Sequence, residues 1–107
     1  MLIANVKEEL ENIIKIRIAI ALRQLLTKKG VAVEVNSYND IAIAADLRKA
    51  TVTDAFNANK ASKGITLFLI IKAMGYSIVE FGKIYDSIID SEVTQFQRGI
   101  HPTQRKK

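Results

Sequence analysis

Residues 48–63 read RKATVTDAFNANKASK. The polar side chains in this stretch are hydrogen-bonding groups: a guanidinium at Arg48, an ammonium at Lys49, hydroxyls at Thr51 and Thr53, a carboxylate at Asp54 and an amide at Asn57. On a helix, Val52, Ala55 and Phe56 share one face and leave the polar groups on the other. A short helix of this kind offers donors and acceptors to planar polar edges and to phosphate oxygens. The plainer reading is a solvated helix start at Arg48 and Lys49, with Asp54 paired to Arg48 or a neighbour, because an acid repels phosphate.

Other chemistry has little to work with. There is no cysteine, which excludes disulfides and thiolate metal sites, and the one histidine, His101, lies near the C-terminus. Glycine-rich phosphate loops and paired acids in an apolar setting are absent. The sequence therefore predicts no enzyme, no cofactor and no metal. No apolar run approaches the roughly 20 residues of a membrane span. The N-terminus MLIANVKEELEN lacks the pattern of a signal peptide, so a cytoplasmic protein without a membrane partner is expected. The net charge is +5, but the last ten residues hold four cations and no acid, so most of the excess sits in the terminal RGIHPTQRKK. A basic balance permits a nucleic-acid partner without requiring one.

The elements that must hold residues 48–63 follow from apolar spacing. At 107 residues and 49% apolar content, with one Pro and five Gly, the chain fits a single all-α domain. Leu10, Ile13, Ile14, Ile18, Ala21, Leu22 and Leu25 predict a helix over 7–29, stopped by Gly30. VAVEV, 31–35, alternates weakly and is a possible short strand or an extended connector. Ser37 followed by Asp40 resembles a capping box and starts a helix near Tyr38. Within it Ile41, Ala44, Ala45 and nearly Leu47 face inward. A turn at 45–47 leads to a second short helix over 48–57. ITLFLIIKAMG, 65–75, is apolar almost all round and reads as a buried helix closed by Gly75. Ser77 caps a last helix, SIVEFGKIYDSIID, with Ile78, Phe81, Tyr85 and Ile88 on one face. These boundaries give a domain over 1–93 and a basic, disordered tail over 94–107.

Two short helices joined by a tight turn form a helix-turn-helix layout. Ala42 or Ala45 supplies the small residue where the helices cross, and Asp46 is the residue that must tolerate a left-handed backbone. From Ser37 to about Phe81 the chain resembles the phage repressor/Cro-like family of helix-turn-helix DNA-binding domains. The resemblance rests on Ile41-Ala42 in the first helix, Ala50-Thr51-Val52-Thr53 opening the second, and TLFLIIKAMGYS over 66–77. Asp46 and Ala58 stand where the family usually has glycine, and VAVEVN is an insertion. The resemblance implies a compact five-helix, lambda-repressor-like domain acting as a repressor-like regulator of transcription on double-stranded DNA. By position, Lys49, Ala50, Thr51 and Asp54 would meet base edges, Lys49 at guanine O6/N7 and Asp54 at cytosine N4. Tyr38, Asn39, Arg48, Asn57, Asn59, Lys60 and Lys63 would hold phosphates.

Regulators of this kind commonly pair to span two half-sites. The stripe Phe81, Ile84, Tyr85, Ile88 and Ile89 is wider than a small one-sided helix needs and is the expected homodimer face, with intramolecular core as its plainer reading. The alternatives are an antitoxin, with a toxin as protein partner, or an interaction module that kept the fold without DNA binding. Tyr38 reads equally as a hydrophobic plug.

Overall fold

The computed structural model describes residues 2–28 and 35–99. They are all-helical, in the order α1 (Leu2–Lys28), α2 (Tyr38–Ala45), α3 (Lys49–Asn57), α4 (Gly64–Ala73), α5 (Ile78–Ser87) and α6 (Asp90–Gly99). Gly30, residues 31–34 of the possible strand, and residues 100–107 of the tail lie outside the described residues. Val35 is not in a strand.

The C-terminal half of α1 is the axis of the fold. Ala19, Ala21, Leu22 and Leu25 are fully buried, and Ile16 and Ile20 nearly so, because α3, α5 and α6 all pack against this one helix. Its N-terminal half is different: Leu10 is 54% exposed and Ile14 42%, so the inward stripe expected from spacing holds only beyond Ile16. At about 1.5 Å per residue its 27 residues reach ~40 Å, most of the 46 Å long dimension, which is how one end extends past the packed body. The remaining core is Ile41, Ala42, Val52, Ala55, Phe56, Ile70, Ile71 and Met74, joined by Phe81, Ile88 and Val93.

Local rules set most helix ends. The Ser37 hydroxyl accepts from Asp40 N–H at 3.0 Å, while Asp40 accepts from Asn36 N–H rather than completing a box on Ser37. Ser77 and Glu80 form a full capping box. The hydrogen bond from Ser77 N–H holds the Glu80 carboxyl below its ordinary pKa, with the Ser77 hydroxyl, Lys28 and Lys83 adding smaller help. Gly75, at φ 88°, closes α4, and the Tyr76 hydroxyl donates to the Leu25 carbonyl.

The described residues contain six helices where five were expected. The long last helix breaks at Ile88, whose backbone is extended (ψ 129°). The Ser87 hydroxyl donates to the Ile84 carbonyl, a local bond that competes with helix continuation. Glu92 accepts from Ile89 N–H at 2.9 Å and starts α6 with Asp90 in its first turn. The Ile88 carbonyl freed by the break accepts from Arg17 at 2.7 Å, and Arg17 also reaches Asp90. Residues 94–99, assigned to the tail from their polarity, continue α6, held to α1 by buried Val93 and by Phe96.

Three further expectations are corrected. Ala44 is exposed. Ile78 is 39% exposed. Helix α4 buries only Ile70 and Ile71, leaving Ile65, Phe68 and Leu69 exposed at 74%, 51% and 40%. No single helix among the described residues is long and apolar enough to cross a membrane.

Candidate nucleic-acid interface

Helix α3 is positioned by three contacts. First, the turn from α2 runs through Asp46 in the left-handed region (φ 58°, ψ 48°), whose N–H reaches Ile43 O, while Leu47 N–H bonds Ala42 O at 2.9 Å. Asp46 thus holds the left-handed backbone that the turn needs, at lower cost than most residues. Second, Val52, Ala55 and Phe56 bury one face of α3, with the Tyr38 ring 4.5 Å from that of Phe56. Third, Arg23 of α1 grips the end of α3. Its Nε donates to Phe56 O at 2.8 Å, its Nη2 bonds Asn57 Oδ1, and its guanidinium lies 4.9 Å over the Phe96 ring of α6. The helix ends at Ala58, also left-handed (φ 58°, ψ 31°).

The opposite side of α3 forms one wall of a groove of about 350 Å³; the loop over 58–63 and the start of α4 form the other. Arg48, Ala50, Thr51 and Asp54 line the first wall, and Lys60, Lys63 and Thr66 the second. Three cations and one carboxylate therefore meet here. Asp54 accepts from Asn59 Nδ2 at 3.2 Å and lies 3.9 Å from Lys60 Nζ. That pairing matches the plainer reading of Asp54, with Lys60 rather than Arg48 as partner.

The remaining assigned residues sit elsewhere. Lys49, Asn39 and Asn59 are exposed outside the groove lining. Tyr38 is half-buried against Phe56, as the plug reading has it. Asn57, expected at a phosphate, has its oxygen held by Arg23 and its Nδ2 donating to Thr53 O at 3.0 Å, so both ends of the amide have partners within the fold. On the expected dimer stripe, Phe81 and Ile88 are buried in the core of a single chain and offer little surface to a partner. Ile84 and Tyr85 are half-buried and Ile89 is 59% exposed. Thr66 and Ser62 in the groove were not assigned from sequence; the only signal was their place just before and within the first turn of a helix facing a basic loop.

No family model, no curated protein and no solved structure matches the chain. Among the described residues no group of His, Cys, Asp or Glu is arranged to hold a metal ion.

Proposed function

We propose that the protein is a sequence-specific DNA-binding regulator, repressor-like, with α2 and α3 as a helix-turn-helix of the phage repressor/Cro-like kind. The observation that carries this reading is the basic groove along the polar face of α3, next to a left-handed turn at Asp46. A helix with side chains is about 10–12 Å across and the major groove about 12 Å wide, so α3 fits it end-on or lengthwise. Lys49, Ala50 and Thr51 then face base edges, and Arg48, Lys60 and Lys63 take phosphates on either side. Asn39 in the first turn of α2 stands at the flanking phosphate.

A homodimer belongs to this reading, and its face on α5 and beyond narrows to Ile84, Tyr85 and Ile89. One observation favours a second reading, a protein-interaction module such as an antitoxin: the exposed apolar row Ile65, Phe68 and Leu69 on α4. Selection from a random duplex pool, then fluorescence anisotropy against selected and scrambled DNA at several salt concentrations, separates the two. A regulator holds the selected duplex at salt that releases the scrambled one. Equal, weak, steeply salt-dependent binding to both removes the first reading. Unchanged affinity in an Arg48→Ala, Lys49→Ala double variant removes the contact assignment.

A further inference from the structure

The loop over 58–63 has a cavity on each side. Lys60, Ala61 and Ser62 line both the groove and a second, more apolar cavity of about 270 Å³ between α1, α3 and the loop. Ile14 and Ile18 of α1, Ala55 of α3 and Ala61 of the loop supply its apolar walls. Lys15, Lys60 and Glu11 supply its charges, two ammonium groups against one carboxylate. At ~30 Å³ per water molecule the space equals about nine waters, room for a ligand of on the order of ten non-hydrogen atoms. Apolar walls with a small net positive charge suit an amphiphilic monoanion.

We infer that this second cavity binds a small carboxylic acid with a short apolar body, and that binding weakens the groove's hold on DNA. The body packs on Ile14, Ile18, Ala55 and Ala61, and the carboxylate takes Lys15 and Lys60. Lys60 is the link, because its ammonium lies 3.9 Å from Asp54 on the groove side. A carboxylate that draws Lys60 to the second cavity removes one of the groove's three cations and leaves Asp54 without its counter-charge. Ligand and phosphate then compete for one side chain, which supplies the differential affinity a switch requires. The ligand site stands independently of DNA binding; the coupling rests on the DNA-binding reading above.

Titrations of the ¹⁵N-labelled full chain with octanoate, octan-1-ol and octylamine, below their micelle-forming ranges, test the site. Octanoate is expected to shift the Ile18, Ala55, Ala61 and Ser62 amides saturably and at least about fivefold more tightly than the other two, with a Lys15→Gln, Lys60→Gln double variant losing that preference. Ala61→Phe, a change at an exposed loop position, fills the cavity and abolishes the shifts while the rest of the spectrum stays folded. Shifts centred on Ile65, Phe68 and Leu69, equal affinity for octylamine, or no saturable shift would overturn the site. Octanoate is further expected to weaken binding of the selected duplex by about fivefold or more. Pocket shifts in a chain that binds no duplex would sink the DNA reading and keep the site. Pocket shifts with duplex affinity unchanged would sink the coupling.

Discussion

Replacing Arg23 by Met keeps most of the aliphatic stem and removes the fork that ties α3 to α1 and α6. Three interactions are lost: the bond to Phe56 O, the bond to Asn57 Oδ1 and the stacking over Phe96. A charged donor on a carbonyl contributes about 1.5–3 kcal/mol, and a cation over an aromatic ring about 0.5–1 kcal/mol. Both hydrogen bonds are only part-buried, so water recovers some of the Phe56 carbonyl's loss. The expected cost is about 2–3 kcal/mol, which for a domain of this size lowers Tm by about 10–20 °C. Urea unfolding followed by circular dichroism measures it, with an unchanged m-value showing that the denatured state is not altered. Double-mutant cycles with Asn57→Ala and with Phe96→Leu should each return a coupling of about 1 kcal/mol. A loss below about 0.5 kcal/mol, or zero coupling in both cycles, would refute the claim that Arg23 fastens the end of α3.

Ala58→Gly relieves a left-handed alanine and, after the added freedom of the unfolded chain, should gain about 0.5 kcal/mol; Asp46→Gly should gain less, and a lower Tm in both would contradict the backbone assignment. Lys63→Ala should reduce the slope of log affinity against log salt by about 0.9 on scrambled duplex, and an unchanged slope would take Lys63 off the phosphate. Asp54→Asn frees Lys60 and should tighten sequence-independent binding, measured by anisotropy; weaker binding would mean that Asp54 orders the loop rather than restraining its charge. The depressed Glu80 carboxyl binds fewer protons folded than unfolded, so its stabilisation is full above the unfolded pKa near 4.5 and is lost as pH falls through the lower folded value. Glu80→Gln should therefore flatten that part of the acid limb in pH-dependent thermal melts, and an identical limb would remove the capping box as its cause.

What could be read from the sequence was local. Ser37, Ser77 and Gly75 mark helix ends because a cap depends on residues three or four positions away, and Val52, Ala55 and Phe56 are inward because the α3 face is narrow. What could not be read depended on distant partners. An amide at Asn57 suits a phosphate or an arginine equally well, and its arginine, Arg23, is 34 residues away. The apolar character of 65–75 fixes no direction: the side that meets α2 and α5 is buried, and the rest of the same helix is left in solvent. Helix α6 was missed because its residues are polar, although Asp90 and Glu92 ahead of Val93 and Phe96 were the signal of a helix start and an inward face.

The burial of the C-terminal half of α1 also sets an order of events during synthesis. Two of its three covering helices are encoded far downstream: Arg17 meets Ile88 71 residues later, and Gln24 meets Glu92 after 68. At about 5–20 residues per second, α1 leaves the ribosome several seconds before those partners exist. During that interval, of the three helices that pack on α1, only α3 is available to cover Ile16, Ile20, Leu22 and Leu25. The nascent α1 therefore presents an aggregation-prone apolar face, so yield should depend on translation speed over 30–96 and on whatever chaperone holds it, even though the finished domain buries that face.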